Sequence, residues 1–241
     1  MKVELNPAFV LHRRLYRETS LLLDIFSREY GRLSLIARGV RKKDSPKAEL
    51  LQPNQPLLLS WSGKSELMNL AAIEQDGMPF QLKKDKLIAG FYINELVMRL
   101  LHSHEAHAEL FDNYKKTLTL LADDTVNEQI AMRIFEKKLL EAVGYGLAME
   151  HEAGSTRPVE AGITYYYQAD HGPSKVVPAT GDYIRVNGSA LISLAREDFR
   201  SENDLNEIKK LMRYVLKKHL GDKPLASRDL YKSYIHHSRI S

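Results

Sequence analysis

Cysteine is absent from this chain of 241 residues. Its absence excludes disulfide bonds, thiolate catalysis and every zinc or iron–sulfur site built on cysteine ligands, and it suits a reducing compartment. Long apolar runs are missing too, since none approaches the ~18 residues that a membrane-spanning helix needs. The N-terminus has no signal-like apolar core. We therefore expect a soluble, cytoplasmic protein.

Signatures of catalysis are also missing. The sequence holds no GxSxG, P-loop or GxGxxG motif. His102, His104, Glu105 and His107 form the one histidine cluster, but His104 and His107 are three residues apart, whereas the HExxH helix motif needs four. The pair at 123–124 is better explained as a helix cap than as a nuclease pair. We expect no enzyme activity, no cofactor and no bound metal.

Charge is unevenly distributed behind a formal net charge of only +4. Residues 1–80 carry 12 lysines and arginines against 9 acidic residues, and residues 205–241 carry 9 against 3. The segment between them is net acidic. Two basic ends that flank an acidic middle favour an anionic partner such as a nucleic acid.

The most informative segment is 31–47, GRLSLIARGVRKKDSPK. Residues 32–37 alternate between apolar and polar types with a period near two, which predicts a half-buried strand. Five cations follow within ten residues: Arg38, Arg41, Lys42, Lys43 and Lys47. Such a cluster at a strand end favours phosphate binding; the alternative is a solvated charged turn.

Five short apolar or alternating segments in the first 80 residues, at 8–16, 21–26, 32–37, 57–61 and 67–73, are separated by turn-forming residues. They predict a small closed barrel, either an OB-fold that binds nucleic acid or an SH3-like docking barrel. From about residue 83 the apolar spacing becomes helical. The sequence thus predicts an α+β chain, with a five-stranded barrel over residues 1–80 and a helical domain over 81–241.

The helical domain contains an irregular stretch at about 146–185 that is rich in glycine and proline. Its Tyr165–Tyr167 run is compatible with a short strand. Helical spacing also places a helix start at 123–125, an apolar stripe that ends at Gly144, a helix over about 204–220 and a short final helix after Leu225.

Four blocks of the sequence resemble the RecO family of recombination mediators. They are GRLSLIARGVR at 31–41, GFYINEL at 90–96, FEKKLL at 135–140 closing on GYG at 144–146, and GDKPLASR at 221–228. The resemblance implies an N-terminal OB-fold, a helical C-terminal domain and no enzymatic active site. It further implies DNA binding, strand annealing, a nucleoid location, and cooperation with single-strand-binding protein (SSB), RecR and RecA.

One departure from the family pattern concerns zinc. Many members carry a four-cysteine zinc site in the insert after the Gly-Tyr-Gly block, whereas this chain has only His151 between Glu150 and Glu152 in that region. A structural zinc site needs four good nitrogen or sulfur ligands. We expect a zinc-free insert held by packing, with Tyr165–Tyr167 as its core.

The predicted DNA surface has two parts. The barrel part comprises the cations Arg13, Arg14, Arg17, Arg38, Arg41, Lys42, Lys43 and Lys47. A second part comprises Lys210, Arg213 and Lys217, which share one side of a helix; the alternative is an exposed helix end whose cations complement the macrodipole. Tyr16, Tyr30 and Trp61 are candidates for base stacking or for the core.

The resemblance also implies a receptor for the acidic SSB tail, which ends in apolar residues and a free carboxylate. A receptor of that kind needs a cation beside an apolar groove. We predict Arg133, Phe135 and Lys137, with a groove wall of Leu101, Phe111 and Tyr114; the alternative is that Phe135 belongs to the core and Arg133 is solvated.

The predicted function is a DNA repair and recombination mediator. It would bind single- and double-stranded DNA, anneal complementary strands, and help load RecA onto SSB-coated single strands together with RecR. Two alternatives remain open at this point: a non-enzymatic adaptor whose barrel docks a protein partner, and an RNA-binding OB protein, because phosphate contacts do not distinguish the sugars.

Overall fold

The computed structural model describes residues 1–41 and 47–238. The chain divides into two compact units, one formed by Met1–Asp124 with the chain from Pro224 onward, and one formed by Thr125–Lys223. The first holds the barrel with the helices up to residue 122 and the last helix, and the second holds the remaining elements. The sequence-based division at residue 80 follows the end of the barrel, and as a domain boundary it stays a prediction.

Five strands form a closed barrel in the first unit: β1 (Lys2–Tyr16), β2 (Ser20–Ser27), β3 (Gly31–Ala37), β4 (Pro56–Ser62) and β5 (Leu67–Gln75). Their order is β1-β2-β3-β5-β4, with β1 paired to β4 at the closure and β3 paired parallel to β5. This is the strand order of an OB-fold. It confirms the predicted barrel and decides against the SH3-like alternative.

Alternation along the strands builds the barrel core. Leu33, Leu35 and Ala37 of β3 are buried while the residues between them are half-buried. Among the described residues, 15 buried side chains form the core, and they include Trp61, the only tryptophan of the sequence. Gly31 starts β3 with φ +65°, and a Cβ there would lie 1.8 Å from the carbonyl oxygen of Glu105, so that only glycine fits.

The described residues form seven helices: α1 (Lys47–Leu50), α2 (Lys84–Leu100), α3 (Ala108–Ala122), α4 (Glu128–Ala142), α5 (Gly188–Arg196), α6 (Glu202–Leu220) and α7 (Ala226–Ser238). A barrel followed by helices is the predicted fold class, which is confirmed. None of the helices in the described ranges is long and apolar enough to cross a membrane.

A buried polar network joins α2 and α3 to the barrel. The Asn94 amide donates to the Leu11 carbonyl over 3.1 Å and to Oδ1 of Asn54 over 2.7 Å. Its own oxygen accepts from the Tyr114 hydroxyl over 2.5 Å. Burial raises the pKa of the Tyr114 phenol far above its usual range, so the group remains a donor. The Tyr114 ring also contacts Phe9 of β1, with centroids 4.9 Å apart.

The start of α4 differs from the sequence-based prediction. Residues 123–125 do not begin it: Asp123 ends α3, and the Lys86 ammonium binds its carbonyl and the Asp124 carboxylate over 2.8 and 2.7 Å. Asn127 caps α4 instead, and its side-chain oxygen accepts from the Gln129 N–H over 2.9 Å. The predicted cap was wrong because Asn127, four residues after Asp123, is an equally good capping residue and caps α4 in place of the aspartates.

The insert in the second unit is more regular than predicted. It holds a three-stranded sheet in the order β7-β6-β8, built from β6 (Thr164–Gln168), β7 (Gly172–Ser174) and β8 (Ile184–Asn187). Tyr165 and Tyr167 are fully buried, so the tyrosine run is a strand and packs as the core of the insert. Lys175 binds both Glu152 and Glu160 over 2.8 Å at its surface.

Candidate nucleic-acid interface

One groove at the end of the barrel brings together three of the predicted DNA-binding cations. Its volume is about 360 Å³, and its lining is Arg13, Arg14, Leu15, Leu21, Arg41 and Ala48. β1 supplies the first three residues, β2 supplies Leu21, and the segments after β3 supply Arg41 and Ala48. No acidic side chain lines the groove in the part of the chain that the structure describes.

Backbone carbonyls hold two of these guanidinium groups. Nη1 of Arg13 donates to the Ala48 carbonyl over 2.9 Å, and Nη1 of Arg41 donates to the Glu18 carbonyl over 3.1 Å. The Arg41 N–H also donates to the Thr19 carbonyl over 3.0 Å. Within the described residues neither guanidinium forms an ion pair, and the carbonyl partners fix the side chains at little further entropy cost on binding. Two cations of the predicted DNA surface are therefore held in place at this groove, and anion binding there stays a prediction.

Three other predicted barrel cations, Arg17, Arg38 and Lys47, do not line the groove. Arg17 lies in the turn between β1 and β2 with its guanidinium 5.2 Å from the Tyr16 ring. Nε of Arg38 donates to Oδ1 of Asn69 over 3.0 Å. Lys47 is exposed at the start of α1. Lys42 and Lys43 lie outside the described residues.

The three aromatic candidates for base stacking differ in burial. Trp61 is fully buried in the barrel core, and the Tyr30 ring packs edge-on against it at 5.4 Å. Tyr16 is half-buried at the edge of the groove-bearing hairpin. Tyr30 is half-buried as well, so of the three aromatics only Trp61 is closed to a ligand, and Tyr16 is the one that lies on a strand lining the groove.

The helix α6 carries the second predicted cation set on an exposed face. This face consists of Asn203, Asn206, Lys210, Arg213 and Lys217, all exposed and spaced three or four residues apart. It contains no acidic residue, and within the described ranges its three cations form no ion pair. Lys218, beside it, is bound to Asp170, which raises the pKa of the lysine.

The residues predicted for the SSB tail lie in two cores. Leu101, Phe111 and Tyr114 are buried in the first unit, and Phe135 is fully buried in the second. Arg133 is 3% exposed and pairs with the buried Glu136 over 2.9 Å. Lys137 pairs with Glu197 over 2.9 Å. As a tail site this set stays a prediction.

A cleft that sequence reasoning missed lies close to Arg133. Its volume is about 320 Å³, and Ile130, Phe199 and Leu205 line it together with Arg200 and Lys209. Burial, followed by the positive charges of Arg213 and Arg133, lowers the pKa of the Lys209 ammonium. The carboxylates of Glu128 and Glu136 act in the opposite direction, and Glu202 also lines the cleft. The signal missed in the sequence is that Lys209 of α6 lies beside Ile130, which belongs to α4.

We also searched the structure for side chains that could bind a metal ion together. Over residues 1–41 and 47–238, no three histidine, aspartate or glutamate side chains come together as a group able to hold a metal ion.

Comparison with known proteins identifies the family. The family model described as recombination protein O, N terminal, matches residues 1–75, and the one described as recombination protein O C terminal matches residues 83–229. The chain belongs to the RecO family. A protein named DNA repair protein RecO from Nitrosococcus oceani is 44% identical over 230 residues, which are 95% of this chain and 93% of that protein.

Two more relatives of that name show the same extent of similarity. The protein from Haemophilus influenzae strain PittGG is 42% identical over 98% of both chains. The protein from Methylococcus capsulatus is 43% identical over 96% of this chain and 94% of its own length. The N-terminal RecO model matches the barrel, and the C-terminal RecO model matches the helical region. The chain therefore belongs to a DNA repair family with an N-terminal OB-like barrel.

Proposed function

We propose that this RecO-family protein is a non-enzymatic mediator of DNA repair. It binds single- and double-stranded DNA, anneals complementary strands, and helps to load RecA onto SSB-coated single strands together with RecR. The observation that carries this proposal is the groove in which Arg13, Arg14 and Arg41 converge and which no carboxylate of the described residues lines. The relatives' name, DNA repair protein, supports it.

The arginines of the groove suit phosphate binding. Each guanidinium can donate to a phosphate in forked geometry, and neutralised phosphates release their counterions. Contacts of this kind carry little sequence information and leave the pairing edges of the bases free. Annealing needs that combination, because the protein must hold a strand while its bases pair with another.

The α6 face of Lys210, Arg213 and Lys217 gives a second set of phosphate contacts. Residues spaced by three and four lie on one side of a helix, so the three cations can follow the phosphate backbone of one strand. A protein with two cationic surfaces can bind two strands at once, which favours annealing over simple coating.

For the SSB tail, we propose the cleft beside Lys209. The apolar side chains of Ile130, Phe199 and Leu205 suit the apolar end of the tail, and Lys209 suits its terminal carboxylate. The guanidinium of Arg133 stays bound to Glu136, and its positive charge lowers the pKa of the Lys209 ammonium. The variant Lys209→Gln should weaken tail-peptide binding about tenfold or more, and unchanged affinity would contradict this assignment.

The test of the DNA proposal is the salt dependence of affinity. Replacing Arg13, Arg14 and Arg41 by alanine should flatten the slope of log affinity against log salt by roughly two to three. A control variant with the same net charge replaces Lys116, Arg157 and Arg196, which are exposed and lie outside both cationic surfaces. The control should keep the parent slope. An unchanged slope in the groove variant would favour the adaptor function.

Annealing of complementary oligonucleotides pre-coated with SSB then tests the mediator step. The protein should accelerate annealing, and deletion of the SSB tail should remove the acceleration. The groove variant should lose it with the tail intact. Acceleration by the groove variant equal to the parent's would show that the groove has no part in annealing.

A further inference from the structure

The groove at the barrel end contains an apolar side chain that phosphate binding does not use. Leu15 lies on its lining and is 69% exposed, although it belongs to a strand. Single exposed leucines need no explanation by themselves. This one is flanked in sequence by Arg13, Arg14 and Arg17 and opens into the groove proposed to bind phosphate.

The strand register explains why Leu15 lies there. β1 pairs with β2 so that Leu15 stands opposite Leu21 and Arg13 opposite Leu23. Paired residues of an antiparallel ladder point to the same face, and Leu21 and Leu23 belong to the barrel core. Leu15 therefore extends the core-facing side of the barrel beyond its closed end, where it remains uncovered.

The groove consequently has both an apolar and a cationic lining. Leu15, Leu21 and Ala48 supply the apolar part, and Arg13, Arg14 and Arg41 supply the cationic part. Its volume of about 360 Å³ falls within the ~300–1,000 Å³ of pockets that enclose small organic groups. Phosphate groups have no apolar surface to cover Leu15, whereas an unstacked nucleobase with its flanking phosphates has both an apolar face and the anionic charge.

We propose that this groove binds an unstacked base of a single strand, with its face against Leu15 and the adjoining phosphates on the three arginines. The inference rests on the proposed DNA binding and names the ligand of the same site more narrowly. A base in a duplex is stacked on both faces, so it cannot reach Leu15 unless it leaves the stack. Leu15 thereby gives the groove a preference for single strands, while contact through the base face leaves the pairing edge free.

The test compares two oligonucleotides of equal length, an oligothymidylate and an abasic strand with the same phosphates. The intact protein should bind the oligothymidylate more tightly than the abasic strand. Leu15→Ser should weaken oligothymidylate binding about tenfold and leave abasic binding and the salt slope unchanged. Leu15→Phe should keep the preference for bases, because an aromatic ring stacks at least as well as leucine.

Met78→Ser is the matched control, because Met78 is 84% exposed and lies outside the groove lining. It should leave both affinities unchanged. If Leu15→Ser lowers both affinities equally, or neither, the inference is wrong while phosphate binding stands. If neither oligonucleotide binds with a salt-dependent affinity, the proposed DNA binding itself is wrong. The two failures are therefore distinguishable in one experiment.

Discussion

The carboxylate of Glu95 in α2 accepts hydrogen bonds from both the backbone N–H and the hydroxyl group of Ser227, over 2.9 and 2.7 Å. Its other oxygen accepts from the N–H of Ala226 over 2.9 Å. These N–H groups belong to the first turn of α7, which has no partners for them within the helix. The negative charge at this end also complements the macrodipole of α7. One side chain therefore fixes the start of the last helix.

We expect Glu95→Gln to loosen α7. The neutral amide keeps the size of the carboxylate but loses its charge and one of its two acceptors, so the free energy of unfolding should fall by about 1–3 kcal/mol. Limited proteolysis should cleave the chain after Leu225 sooner than in the parent. Glu74→Gln, at an exposed position of β5, is the control. Equal protease resistance of the Glu95 and Glu74 variants would refute the role of Glu95.

Gly90→Ala should destabilise the protein, although alanine is usually preferred over glycine inside a helix. In an exposed helix interior, alanine is more favourable than glycine by about 1 kcal/mol. Here a Cβ at position 90 would lie 2.6 Å from Nδ2 of Asn54 and 2.9 Å from Cδ1 of Leu82. We expect a loss of about 1–3 kcal/mol from this overpacking, measured by urea unfolding.

A double-mutant cycle identifies the cause. Asn54→Gly removes the clashing amide and keeps the positive φ of 64° at that position. Combined with Gly90→Ala, it should cost less than the sum of the two single changes. Strict additivity would place the cost of Gly90→Ala elsewhere than in contact with Asn54.

The ion pair of Glu197 with Lys137 should contribute stability in a defined pH window. Burial opposes the ionisation of Glu197, but the hydrogen bond and charge of Lys137, and then those of Lys138, outweigh it and lower the pKa of the carboxyl group. The unfolded-state value is about 4.3. Because the folded pKa is the lower of the two, the stabilisation is complete above that value and is lost as the pH falls through the folded pKa.

The corresponding variant is Glu197→Gln. At pH near 7 it should lose about 1–3 kcal/mol, since it removes the charged partner of the buried Lys137 ammonium. The difference from the parent should shrink in acid, below a pH of about 4. Glu150→Gln, at an exposed position of the same unit, should show no such trend. A difference that stayed constant down to acid would mean that the charge of Glu197 is not involved.

The exposed cations of α6 should contribute separately to DNA binding. Replacing Lys210, Arg213 and Lys217 by alanine should reduce the salt slope by roughly two to three if all three contact phosphate. The stability of α6 should change little, because its buried face is untouched. The Lys116, Arg157 and Arg196 variant again controls for net charge. Equal slopes in the two variants would leave α6 as a solvated helix.

Local patterns foretold most of the architecture. Residues 32–37 alternate, and β3 follows them; Tyr165–Tyr167 form β6 because a run of tyrosines can bury one face. The strands β7 and β8 were not predicted, because three or four residues are too few to show an alternating pattern. The cap at Asn127 was missed because an earlier pair of aspartates carries the same signal.

The site was only partly accessible to sequence reasoning. The types of the cations could be read directly, but the convergence of Arg13 and Arg41 depends on which strands pair. In the sequence, Leu15 looks like any other apolar residue of an alternating strand. Its exposure depends on its position at the end of the barrel, which its neighbours in sequence do not indicate. The bond from Glu95 to Ser227 crosses 132 positions, a distance over which no local pattern operates.

That separation has a consequence for the newborn chain. Glu95 leaves the ribosome long before Ser227, and at about 5–20 residues per second the wait is on the order of 10 s. The whole of Thr125–Lys223 is made in the meantime. Until then, α2 lacks the helix that its carboxylate will cap. The first unit to begin is thus the last to be finished, and in the interval the surface of α2 that α7 will cover stays exposed.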